Sequence, residues 1–297
     1  MKRSKQLLGA VSTIALIAFS ASPALAGGST AGSSITNNVS VSFDVGGVTQ
    51  TAVTASNTFT VDRKIDVLVD FAGTAATSVA PGAQNQVLAF DVTNLSNAVV
   101  DIRLAAALNA GNAANIANFE VYRDTNGDRS LSAAELAAGP ITYLDEVAAD
   151  ATVAVIVIAD IGLGAVNGNE FDVVLTGTAR EGGTAGTQGA AITQTAGANT
   201  AGVDTVFTDG AGTTDAARDG AYSDVGKYVV AGATMSVSKT SRIVSDPVNG
   251  PTNPKAIPGA TIEYCIVVSN AAGGATGTNI DVNDDLPADV SYLTAFG

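Results

Sequence analysis

A strand-forming phrase carried twice constrains this chain more than anything else in it. PGAQNQVLAFDVTN runs from Pro81 to Asn94, and PGATIEYCIVVSN runs from Pro258 to Asn270. Aligned on the closing asparagine, Leu88, Phe90 and Val92 match Tyr264, Ile266 and Val268, and the second copy is one residue shorter after its PGA turn. Apolar residues alternate in both, the period of a strand with one face buried and one face wet. A repeated strand of this kind points to tandem β-sandwich modules and to no particular reaction.

The same alternation marks other segments. Val39, Val41, Phe43 and Val45 lead to Gly46-Gly47, a two-residue turn, and Val48 begins the return of a β-hairpin. Phe59, Val61, Ile65, Val67, Val69 and Phe71 follow, then Val87–Val92, Val99–Leu104, Phe119–Tyr122, Ile141–Leu144, Thr152–Ile158 and Phe171–Thr176. The run from Ala154 to Val166 is apolar enough to suggest a membrane segment. Asp160 and two glycines interrupt it, and its β-branched start predicts a buried central strand instead. Short strands separated by Gly, Asn and Asp suit an antiparallel sandwich.

From Arg180 to Gly202 the chain is dominated by Gly, Ala, Thr and Gln, the composition of a flexible connection or a long loop. Asp204, Asp209, Asp215, Asp219 and Asp224 follow among glycines and read as solvated turns. Strands are expected again at Tyr228–Val230, Met235–Val237, Thr261–Ser269, Ile280–Val282 and Tyr292–Phe296. The expected layout is all-β: a leader over 1–26, a sandwich over 27–180, a connection over 181–227 and a second sandwich over 228–297. From Met235 onward there is room for about four strands, against about seven in roughly 100 residues for an immunoglobulin-type sandwich. The last module is therefore expected to be incomplete: truncated, or completed by neighbouring strands or a partner.

The leader has the three parts of a signal peptide. Lys2, Arg3 and Lys5 precede the apolar stretch Leu7–Phe19, and Ala24-Leu25-Ala26 forms an A-x-A box before Gly27-Gly28. Its apolar core is too short for a membrane span, and no lipidation cysteine follows. The expectation is an exported, soluble chain, secreted or at the cell surface. Cleavage removes three basic residues and no acidic ones, so the formal charge moves from −14 to −17. Such a surface repels nucleic acid and anionic headgroups and attracts divalent cations. With 46% hydrophobic and 14% charged residues the chain can still bury a core, unlike a disordered acidic tail.

Missing residue types exclude whole chemistries. There is no histidine, which removes Ser-His-Asp and Cys-His nucleophilic sites and histidine-based zinc or iron sites. There is no tryptophan to stack on a sugar ring. Cys265 is the one cysteine, so no internal disulfide forms. It reads as a small half-buried thiol or as a link to another chain.

The strongest chemical motif is Asp124-Thr-Asn-Gly-Asp-Arg-Ser-Leu-Ser-Ala-Ala-Glu135. Asp124, Asn126, Asp128, the Ser130 carbonyl, Ser132 and Glu135 fall at positions 1, 3, 5, 7, 9 and 12 of the loop that wraps Ca²⁺ in an EF-hand. Leu131 occupies the usual apolar position 8. Arg129 stands at position 6, where glycine normally supplies a positive φ; a side chain there costs on the order of 1 kcal/mol. Its positive charge also opposes the ion. NFEVYR before the loop reads as a strand, and Ser132–Ala138 as a short exit helix. The motif therefore predicts a strand–loop–helix Ca²⁺ clip of weak, extracellular affinity. Asp145-Glu146 and Asp284-Asp285 invite a glycosidase reading, but adjacent side chains on a strand point to opposite faces and do not flank one bond. The chain is accordingly expected not to be an enzyme.

The segments PKAIPGATIEYCIVVSN, SNAAGG and NIDVNDDLPADVSYL resemble the conserved-repeat family of bacterial surface proteins, the domain of unknown function numbered eleven. The matching features are the turn Ile257–Ala260, the strand closing at Asn270 and the D-x-L-P step at Asp284–Pro287. The likeness covers 235–297, and more loosely 30–100. It implies immunoglobulin-like sandwiches, export and a role at the cell envelope, with no catalytic residues to carry over. A structural or adhesive module is the leading expectation. A binding module for surface polysaccharide or a protein partner is the second, and a polymerising subunit that accepts a strand from its neighbour the third.

Overall fold

The structure, a computed structural model, describes residues 28–271 and 275–294. The expected leader 1–26 and the end of the expected strand Tyr292–Phe296 lie outside them. The chain is nearly all β, 47% strand and 3% helix. In order, the strands are β1 (Ser34–Val41), β2 (Asp44–Val45), β3 (Val48–Thr49), β4 (Val53–Thr60), β5 (Arg63–Ile65), β6 (Val67–Phe71), β7 (Thr77–Val79), β8 (Gln86–Asn94), β9 (Val100–Ala110) and β10 (Ile116–Arg123). Helix α1 (Ala133–Ala138) comes next, then β11 (Tyr143–Val147), β12 (Thr152–Ile161), β13 (Glu170–Glu181), β14 (Thr205–Phe207), β15 (Ala221–Val230), β16 (Met235–Ser245) and β17 (Thr261–Asn270).

Two sheets form the body. One has the order β10-β12-β8-β6, the other β11-β9-β13-β15-β7. Alternation decides what lies between them. Leu88, Phe90 and Val92 of β8 face inward, with Val67, Val69, Val155 and Val157 from the same sheet. Ile102, Phe171, Val173, Leu175 and Tyr228 meet them from the other sheet, so both layers share one core. Removing each such side chain from water is worth about 1.5–3 kcal/mol. Gly226 lets the layers close: a Cβ there would lie 2.8 Å from the Phe71 ring. Phe71 in turn tilts against Phe90, with centroids 5.4 Å apart. Tyr228 is fully buried, its hydroxyl donates to the Gln86 carbonyl at 2.6 Å, and burial pushes its phenol pKa up.

β12 is a central strand, as its β-branched run predicts, and Val155–Ala159 are buried on both faces. No helix among the described residues is long and apolar enough to cross a membrane.

The expected connection over 181–227 differs from what forms. β15 pairs with β13 from Glu170↔Val229 to Thr178↔Ala221, so a boundary at 227/228 would cut a central strand. β14 pairs in parallel with β5. The Asp-rich turns are not solvated throughout, since Asp204 and Asp209 are buried. Asp209 accepts from the N–H groups of Asp219 and Gly220, and Asp204 from Thr200. Carboxylates that collect backbone donors hold these loops against the body, alongside the apolar contacts that Ile192, Phe207 and Tyr222 make with the core.

Two ribbons extend from the body. β1 pairs with β4 over eight residues, and β2 with β3 around Gly46-Gly47, both at positive φ as a tight hairpin turn requires. β16 pairs with β17. Ile280–Val282, expected as a strand, belongs to none. Cys265 is exposed where a half-buried thiol was expected, because among the described residues no second sheet covers its face of β17.

Candidate functional site

The loop from Asp124 to Glu135 leaves β10 and enters α1, seated on the outer face of the four-stranded sheet. Leu131 at position 8 fixes the seat by packing against Tyr122, Ile156 and Ile158. Helix α1 starts where a capping box dictates. The Ser132 hydroxyl accepts from the Glu135 N–H while the Glu135 carboxylate accepts from the Ser132 N–H. Gly139, at positive φ, ends it.

Inside the loop the backbone curls around its own acceptors. Asp124 Oδ1 accepts from Gly127 N at 2.7 Å, and Oδ2 from Arg129 N at 3.1 Å. Asn126 Oδ1 accepts from Asp128 N, and Asp128 Oδ1 accepts from both the N–H and the hydroxyl of Ser130. The Ser130 donors lower the Asp128 pKa. Both objections raised by Arg129 have a structural answer. Its φ is +61°, so the backbone takes the conformation that position 6 requires. Its guanidinium turns out of the loop onto Asp91 of β8, at 2.8 and 3.0 Å, and that carboxylate raises its pKa.

Glu135 behaves differently from a ready closing ligand. Its Oε1 accepts from the N–H and hydroxyl of Thr125, and its Oε2 from the N–H and hydroxyl of Ser132. The backbone donors of Ser132 and Thr125 draw its pKa down to about 2. The side chain is buried by these contacts, with 3% of the residue exposed. The wrap formed by Asp124, Asn126, Asp128 and Ser130 fits a Ca²⁺ loop. Glu135 and Ser132 are engaged with one another.

Among the described residues, the three acidic side chains whose oxygens lie within 4.8 Å of one another are Asp101, Asp145 and Glu146. Alternation along β11 predicts Asp145 and Glu146 on opposite faces. A register shift between Leu144 and Val147, with Glu146 at φ +48°, brings both to one place. They are spoken for by the Gly-rich loop. Glu146 accepts from Gly183 and Thr184, Asp145 from Gly186, and Asp101, fully buried, from Gly189 and from Glu146 N. The adjacent acids followed downstream by glycines were a readable signal; the part played by Asp101 depends on strand register and was not.

Compared with profiles of known protein families the chain matches none, and no curated protein is significantly similar to it.

Proposed function

We propose that this chain is an exported, non-enzymatic structural or adhesive protein of the bacterial cell envelope, built from immunoglobulin-like sandwich modules. The observation that carries this reading is how the carboxylates are used. Asp101, Asp204, Asp209, Glu135 and Asp246 are all buried and accept backbone N–H groups, so they fasten loops and face no common cleft. The signal-peptide pattern supports export, and the likeness of 235–297 to the conserved-repeat family supports a surface role. Fractionation of cells expressing the chain with and without residues 1–26 tests it. Export of the former and cytoplasmic retention of the latter is the expected result.

In this reading Ca²⁺ is held by Asp124, Asn126, Asp128 and the Ser130 carbonyl, with Ser132 and Glu135 completing the set. The ion competes with Thr125 and Ser132 for the Glu135 carboxylate, which keeps its affinity in the weak extracellular range of about 10⁻⁴–10⁻³ M. Its role is to fix one loop on the sheet. Calorimetric titration with millimolar Ca²⁺ and melting with and without EDTA test this: heat and a higher Tm are expected. Between the two binding alternatives, the exposed Val39, Val41 and Phe59 of the β1–β4 ribbon favour a protein partner over a polysaccharide.

A further inference from the structure

β17 has one edge filled and one edge open. β16 pairs along one side of it, and among the described residues no strand or loop backbone bonds the other side. Open edges recruit further strands, so folded chains guard them. The body does so. The Ile141 N–H caps Val121 of edge strand β10, which also carries a register shift, and Asp224 takes the N–H of Phe71 on β6. β17 has neither device. It contains no proline or lysine, and its one carboxylate, Glu263, is already held by Arg242.

The first copy of the phrase shows what such an edge accepts. β6 sits on β8 as β16 sits on β17: Val67 faces Asn94 and Val69 faces Val92, while Met235 faces Asn270 and Val237 faces Val268. The open edge of β17 is therefore the edge that β12 fills on β8. There Thr93 faces Thr152, Val92 faces Val153 and Phe90 faces Val155. β12 is committed inside the body, but β17 has the residues to take its place, since Thr261, Ile262 and Tyr264 keep the order of Thr152, Val153 and Val155. Laid antiparallel on a second β17, Thr261 meets Ser269, Ile262 meets Val268 and Tyr264 meets Ile266. This pattern reads alike from both ends, as a twofold interface demands, and the axis falls on Cys265.

We infer that two copies of the chain join edge to edge through β17, making a four-stranded antiparallel sheet with the two Cys265 residues opposite each other at its centre. Residues directly opposite in such a ladder have Cα atoms about 4.5–5.5 Å apart, inside the roughly 4.4–6.8 Å span of a disulfide. The exposed thiols can then be locked. Two thiols pass two electrons and two protons to oxidised glutathione, which leaves as two reduced molecules, and one S–S bond forms. A single strand pair is a small interface, so the ladder alone is weak and the bond makes it lasting. The lock draws on the oxidising surroundings that export supplies; the ladder does not, so it stands or falls separately from the envelope reading.

The chain from Gly27 onward tests this. Under reductant, sedimentation should show a reversible monomer–dimer equilibrium and nothing larger, because each copy offers one β17 edge. Higher salt should favour the dimer, since the copies share a negative net charge. Cys265→Ser should dimerise as the parent does. Cys265→Asp sets two carboxylates opposite each other and should weaken association several-fold, whereas Thr240→Asp, across the ribbon on β16, should not. The body's urea transition, which β17 does not join, checks that each variant folds. Cysteines placed in the Cys265→Ser chain read the register: Thr261→Cys and Ser269→Cys should cross-link under oxidised glutathione when mixed, and neither with itself. A parent that stays monomeric at its highest soluble concentration overturns the inference. So does Thr261→Cys linking to itself as fast as to Ser269→Cys, since collision or another register would then make the bond.

Discussion

β8 and β17 are two copies of one phrase with opposite fates. Each opens on the same turn: Ala83 N bonds Ala80 O and Ala260 N bonds Ile257 O, with Gly82 and Gly259 at positive φ. Each closes on an asparagine whose amide donates to a carbonyl a few residues on, Asn94 to Ala98 and Asn270 to Ala275. Between turn and asparagine the surroundings diverge. Phe90 and Val92 are fully buried between two sheets, whereas Tyr264 is 42% exposed on a ribbon. On the outward face, Asp91 holds Arg129 under the Ca²⁺-type loop, and its counterpart Val267 stands in solvent. Local sequence writes the strand; long-range pairing decides whether the strand has a core.

The difference should be largest in the middle of the phrase. Phe90→Ala should destabilise the body by about 3–5 kcal/mol through lost burial and a cavity. Ile266→Ala should cost under about 1 kcal/mol in dilute solution, and urea unfolding measures both. The closing asparagines come next. Asn94 is fully buried and also donates to Val147 O, so Asn94→Ala strands several polar groups and should cost about 2–3 kcal/mol. Asn270→Ala, at an exposed end, should stay within about 1 kcal/mol by the same assay.

Smaller effects probe the loop that only the first copy supports. Arg129→Gly relieves a positive φ worth about 1 kcal/mol and removes a cation. It should tighten Ca²⁺ several-fold by calorimetry, though it gives up the Asp91 contact. The smallest concerns acid. A carboxyl whose folded pKa lies below its unfolded value contributes stability above the unfolded pKa and loses it on protonation. Glu135, drawn from 4.5 to about 2, therefore holds the 124–138 loop and helix fully above about pH 4.5 and releases them as pH falls toward 2. Asp246, lowered by the Asn249 N–H and amide, does the same for the β16–β17 turn. Carboxyl-carbon NMR shifts against pH follow both.

Much of the fold was legible because its signals are local. Alternation and the Gly46-Gly47 turn gave the first hairpin, and the β-branched run gave β12 as a central strand. The stretch 181–224 was not legible. Besides the scattered apolar anchors Ile192, Phe207 and Tyr222, it is held by Asp101, Asp145, Glu146 and Asp62, far away in sequence; the adjacent pair Asp145-Glu146 could be seen, but which backbone N–H groups it meets leaves no periodic trace. At the loop, the oxygen spacing and the short exit helix were readable; that Ser132 and Glu135 close a capping box, which competes with the ion for the same carboxylate, came from the structure. The escape of Arg129 to Asp91, 38 residues earlier, was not.

Residue-resolved native-state hydrogen exchange in dilute solution tests the contrast most directly. The amides of Leu88, Phe90 and Val92 are predicted to exchange only through global unfolding, and those of Tyr264, Ile266 and Val268 through local opening, orders of magnitude faster. Equal protection of the two sets would contradict the account, because both copies would then belong to a core.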